Sequence, residues 1–317
     1  MSAIIETRDL TKYYGRTVAV QNMNLNVAAG AIYGFVGPNG AGKTTTMRML
    51  TTLLEPTSGE AWIAGHSIRR DPKGVRRVIG YMPDFFGVYD DMTVWEYLDF
   101  FAACYHIPEA TRRGLINDLL ELVDLAHRRD DQVDTLSRGM KQRLCLARTL
   151  AHDPQVLILD EPASGLDPRA RIEIRELLVE LSRMGKTVFF STHILADVAE
   201  ICTQVGIVEA GRLVAQGSLA EMQRRLKPHR TLQITLLDKG IEAARSAIFG
   251  RENVLDFREL DEPGEHICFE VDFAGDEAAI SAFLRDLVQR GLPVLRFTET
   301  AHDVEDVFMK VTQGIVS

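Results

Sequence analysis

Short, wholly apolar runs alternate with amphipathic stretches through the first two thirds of the chain. AIYGFVG (31–37), VLILDEP (156–162) and TVFFSTH (187–193) read as buried strands. Helical patterns follow them, starting at Lys43, Pro168 and Leu195. Strand, crossover helix and strand in repetition predict an α/β domain with a parallel sheet covered by helices. Near Pro228 the pattern changes. TLQITLL, a helix near Ile241–Phe249, VLDFREL, HICFEVDF, a helix near Glu277–Gln289 and VLRFTET follow in order. They predict a small α+β domain of ferredoxin-like βαββαβ order, with one more short helix from Val304. The expected division is residues 1–227 and 228–317.

The 317 residues, 46% hydrophobic and 26% charged, suffice for two domains with sizeable cores and exclude a disordered chain. Charge sharpens the boundary. The formal net charge of −9 divides unevenly: residues 1–229 hold 27 basic and 28 acidic side chains, and residues 230–317 hold 9 and 17. An acidic chain is a poor match to nucleic acid. The four cysteines, Cys104, Cys145, Cys202 and Cys268, form no CxxC pair and imply no disulfide framework. No run approaches the ~18 apolar residues of a membrane span, and MSAIIETRDLTKYYG lacks a secretory pattern, so a cytoplasmic location is expected.

The strongest chemical signal is Gly37, Pro38, Asn39, Gly40, Ala41, Gly42, Lys43 and Thr44, which match G-x-x-x-x-G-K-[ST] between an apolar strand and a helix. Glycines let successive N–H groups turn inward around a phosphate, the helix N-terminus adds positive potential, and Lys43 supplies a point charge. Thr44 is expected on Mg²⁺, with Thr45 a further contact. Downstream, the apolar strand 156–159 ends in Asp160 and Glu161. Acids at the end of a buried strand need partners. Asp160 fits a Mg²⁺ ligand, and Glu161 fits the base that polarises an attacking water.

Between these motifs lies Leu136-Ser137-Arg138-Gly139-Met140-Lys141-Gln142-Arg143. In this order the motifs resemble the nucleotide-binding subunit of ABC transporters over residues 3–225, and 136–143 resembles its LSGGQ signature. The resemblance implies the family's P-loop NTPase fold with a helical signature subdomain, and ATP and Mg²⁺ as ligands. It also implies that Ser137 and Gly139 face the γ-phosphate bound by a second subunit. Tyr14 corresponds to the ring that stacks on adenine, Asp167 to the loop reaching across the dimer, and His193 to the switch histidine at the γ-phosphate. One set of motifs then requires a homodimer, or a heterodimer with a related ATPase. Asp84 stands where the family usually has Gln, and is expected to offer the metal an oxygen in its place. Arg138 and Met140 also depart from the signature.

Thr93 and Glu96 form a capping-box pattern, predicting a helix with Trp95, Tyr97, Leu98, Phe100 and Phe101 spread around its girth. By resemblance this region receives a short helix of a separate transmembrane permease, which would hold the ATPase on the inner face of the membrane. The closing segment 302–312 resembles ATPases of type-2 exporters, and the tail is read as a dimerising or regulatory module. The alternative function is a soluble ATPase of the same family acting on nucleic acid or ribosomes.

Overall fold

The computed structural model describes residues 3–84, 87, 91–218, 221–222, 230–237, 245, 248, 251, 253–260 and 266–300. The chain divides into two compact units near residue 219. The first runs β1 (Ala3–Tyr14), β2 (Thr17–Met23), β3 (Asn26–Ala28), β4 (Ile32–Val36), α1 (Lys43–Leu50), β5 (Ser58–Ile63), β6 (His66–Ser67), α2 (Pro72–Val78) and β7 (Ile79–Met82). There follow α3 (Val94–Cys104), α4 (Glu109–Leu122), α5 (Arg138–Leu150), β8 (Val156–Leu159), α6 (Pro168–Arg183), β9 (Thr187–Thr192), α7 (Leu195–Ile201), β10 (Gln204–Glu209) and β11 (Arg212–Gly217).

Strands β1, β2, β3, β5 and β6 pair antiparallel. The second sheet has the order β11-β10-β4-β9-β8-β7, parallel throughout except for β11 at its edge. The apolar runs become its central strands because both faces are covered. Leu157, Leu159, Val188 and Phe190 join one core with α3, α5 and α6, while Val156, Ile158 and Phe189 join the other with Met47, Met49 and Leu50 of α1. Each fully buried side chain of this size contributes roughly 1.5–3 kcal/mol.

Register places the chemistry. Val36 lies opposite Thr192, Phe190 opposite Leu159, and Leu159 opposite Met82. The carboxyl ends of β4, β9, β8 and β7 are therefore neighbours, and the phosphate loop, His193, Asp160–Glu161 and Asp84 all leave from that edge. Open parallel sheets bind ligands at this end.

The capping box forms: Glu96 N–H donates to Thr93 Oγ1 at 3.2 Å, and Thr93 N–H donates to Glu96 Oε2 at 2.8 Å. In α3 Tyr97 and Leu98 are buried and Trp95 and Phe101 pack partly on the same core, while Phe100 is 40% exposed. Packing within the unit thus covers most of the aromatic girth of α3.

The second unit contains β12 (Arg230–Leu236), β13 (Val254–Leu260), β14 (Ile267–Phe273), α8 (Glu277–Gln289) and β15 (Val294–Thr300). Its strands pair antiparallel in the order β13-β14-β12-β15. Leu232, Ile234, Phe269, Val271 and Phe273 form its core with Phe283 and Leu287 of α8. Asp276 caps α8 by accepting from Ala279 N–H. Most of the segment 241–249, the boundary at Pro228 and the helix expected from Val304 lie outside the described residues. No helix among the described residues is long and apolar enough to cross a membrane.

Candidate active site

The loop between β4 and α1 is shaped by what backbone tolerates. Gly42 has φ +97°, and a Cβ there would stand 2.6 Å from the Ala19 carbonyl oxygen, so only glycine fits. A Cβ on Gly37 would reach 2.2 Å from Val208 O, and Ala41 is fully buried. These two residues seat the loop against its neighbours. Lys43 turns back over it, donating to Gly37 O at 2.7 Å and Pro38 O at 3.2 Å. Its Nζ also stands 3.5 Å from Glu161 Oε1, with only 7% of the lysine side chain exposed.

Beside this loop is a cleft of about 450 Å³. Asn39, Gly40, Gly42, Lys43, Thr44 and Thr45 line one side, with Thr17, Val18 and Ala19 of β2. Asp84, Glu161, Ser164 and His193 line the other. A larger cavity of about 740 Å³, lined by Arg143, Glu173 and Arg175 among others, contains none of the candidate residues.

At the end of β8, Asp160 is buried and Glu161 adopts φ +52°, a left-handed conformation uncommon outside glycine. Ser191, absent from the expected set, holds both. It donates to Asp160 Oδ1 at 2.7 Å and accepts the Glu161 N–H at 3.0 Å. Its sequence signal was a hydroxyl within the buried strand TVFFST, two residues before His193. Glu161 Oε2 lies 2.8 Å from His193 Nδ1. In the tautomer with its proton on Nδ1, His193 donates to this carboxylate. Gln142 of α5 donates to Pro162 O at 2.7 Å and pins the loop that follows Glu161.

Asp84 is exposed at the rim, yet its carboxyl is pushed above the ordinary aspartate range, first by desolvation and then by the charges of Asp160 and Glu161. Arg138 and His193 oppose that rise. Among the described residues no group of three or more His, Cys, Asp or Glu is arranged to hold a metal unaided. The donors at this edge, two carboxylates and the Thr44 hydroxyl, fit Mg²⁺ bound together with substrate phosphates.

Gly37, Pro38, Ala41 and Asp160 stand behind the lining as support, and Tyr14, Ser137, Gly139 and Asp167 are outside it as well. Tyr14 is 49% exposed, with Lys12 Nζ 5.5 Å above its ring. Ser137 is exposed and caps α5 by accepting Met140 N–H at 3.3 Å. Gly139 packs near Ala170 Cβ, and Asp167 caps α6 through Ala170 N–H at 2.9 Å.

The sequence profile described as "ABC transporter" matches residues 20–164. The chain is 36% identical over 315 residues to the bacitracin transport ATP-binding protein BcrA of Bacillus licheniformis, covering 99% of each. It is 35% identical over 319 residues to the Nod factor export ATP-binding protein I of Cupriavidus metallidurans, covering 98% of each. A dimeric ATP-binding cassette solved in a post-hydrolysis state with ADP and Pi is similar with a TM-score of 0.62 and 26% identity, over 68% of this chain and 98% of that one.

Proposed function

The chain belongs to the ABC transporter family as an ATP-binding, ATP-hydrolysing subunit, and from that premise we propose how its residues divide the work. The observation that carries the reading is the meeting of Lys43, Asp84, Glu161 and His193 around one cleft at adjoining strand ends. The backbone of residues 37–45 cradles the phosphates, and Lys43 exchanges its Gly37 and Pro38 carbonyl partners for phosphate oxygens. Glu161 accepts a proton from the attacking water, held in place by Ser191 and His193. His193 donates from Nε2 to the γ-phosphate, which requires a proton on both ring nitrogens while Nδ1–H is held by Glu161. Thr44, Asp160 and Asp84 would hold Mg²⁺, which supplies charge neutralisation at the phosphates when bound. Tyr14 stacks on the adenine.

Ser137, Gly139 and Asp167 serve a second nucleotide across a dimer, either of this chain or with a related ATPase. The exposure of Ser137 and Asp167, the position of all three outside this chain's own cleft lining, and the dimeric similar cassette support that arrangement. Closure around ATP, hydrolysis and reopening then drive a separate transmembrane permease, which holds the subunit on the cytoplasmic face of the membrane. The name of the Nod factor export relative supports export as the direction. Residues 228–317 form a ferredoxin-like accessory domain. The antiparallel strand order second-third-first-fourth, with α8 between the third and fourth strands, supports that reading.

The test is Glu161→Gln. The variant should bind ATP and accumulate as closed dimers while turnover falls about 100-fold or more. Retained turnover would remove Glu161 from the mechanism. Cutting the chain near residue 228 and measuring dimerisation and ATPase activity tests the tail, and loss of permease co-purification by Trp95→Ala with ATP binding intact tests the docking region.

A further inference from the structure

Helix α5 presents two side chains to one loop. Arg138 and Gln142 are spaced i, i+4 and so share a face. Gln142 donates to Pro162 O at 2.7 Å, and Arg138 Nη2 donates to Ser164 O at 3.2 Å. The guanidinium lies flat on Gly165: a Cβ there would stand 2.6 Å from Cζ and from both terminal nitrogens. Gly165 also has φ +67°, so the turn itself calls for glycine. Ser164 lines the same cleft as Asp84 and Glu161. The turn thus seats a permanent cation beside a cleft lined by Asp84 and Glu161, with Lys43 and His193 among the basic groups at hand.

We propose that Arg138, seated on the Ser164–Gly165 turn of its own chain, is a positioning residue whose charge offsets the Asp84 carboxylate and so admits the polyanionic nucleotide. The guanidinium cannot lose its proton in the working range, so the offset is constant. Ser164, whose carbonyl the guanidinium holds, lines the same cleft as Asp84, so the fixed positive charge stands by the acid it offsets. An exposed arginine on a helix end would ordinarily be screened by salt and water. Here the flat seat on Gly165 and the bond to a backbone carbonyl fix its position, which removes part of the entropy cost of holding a charge in place.

The inference rests on the cleft being an ATP site, and equilibrium binding of a fluorescent ATP analogue in EDTA tests both without metal or turnover. Arg138→Gln keeps a donor for Ser164 O but removes the charge. It should weaken binding about three- to tenfold with Asp84 present and less than about twofold in an Asp84→Asn background. Arg138→Lys should stay within about twofold of the parent. Gly165→Ala, which drives a Cβ into the guanidinium, should weaken binding with Arg138 present and add little once Arg138 is Gln. Equal losses with Asp or Asn at position 84, a lysine variant as weak as the glutamine one, or a Gly165→Ala effect independent of Arg138 would each overturn the proposal. A parent chain that binds no nucleotide would instead overturn the reading of the cleft itself.

Discussion

Ser191 and Asp160 share a buried 2.7 Å hydrogen bond that joins the ends of β9 and β8 at the edge of the cleft. The same hydroxyl accepts the N–H of Glu161, whose backbone sits in the left-handed region. Ser191→Ala leaves both groups without their partner, and each buried orphan costs about 1–3 kcal/mol. The expected outcome is a fall in kcat larger than the change in KM for ATP, with a lower unfolding midpoint. Steady-state kinetics alongside thermal unfolding would show it, and an unchanged kcat would reduce Ser191 to a packing residue.

Gly42→Ala should abolish nucleotide binding rather than slow turnover. The added Cβ meets the Ala19 carbonyl at 2.6 Å at φ +97°, so the loop must move before a phosphate can enter. Equilibrium binding checks this, with circular dichroism to establish that the sheets remain.

His152 gives the fold a dependence on acid. Its ring stacks on Tyr105 with centroids 4.1 Å apart, and Nε2 donates to Ile79 O at 2.8 Å. Burial lowers its pKa below the ordinary 6.5, outweighing the opposing effects of the Ile79 bond and Asp153. The folded state therefore takes up its proton at lower pH than the unfolded chain, and stability falls as pH drops through and below about 6.5. His152→Asn should flatten the unfolding midpoint between pH 7 and 5 relative to the parent. An equally steep decline would place the acid sensitivity elsewhere.

Thr93→Ala removes one half of the box that starts α3. The expected loss is about 1 kcal/mol, read as a lower unfolding midpoint, while ATP affinity stays unchanged because Thr93 is not part of the cleft lining.

Local pattern carried far in this chain. The helices at Lys43, Pro168, Leu195 and Glu277 begin where the amphipathic pattern placed them, and β8, β9 and β13 follow their apolar or alternating runs. Lys43, Glu161 and His193 were legible because each ends a strand or opens a helix in a recognisable motif. Ser191 was not: a hydroxyl inside a buried strand has many structural uses, and only the pairing of β8 with β9 shows which carboxylate it meets.

The sequence alone determined which segments are strands, which residues can cradle a phosphate, and that acidity gathers in the tail, since these depend on side-chain type and short spacing. Tertiary structure decided that Asp84, Glu161 and His193, spread over more than a hundred residues, border one cleft, and that Arg138 lies on Gly165. It also decided that Ser137 and Asp167 cap helices away from that cleft. The reason is physical: strand order and crossover packing bring distant residues to one sheet edge, and no local period encodes that order.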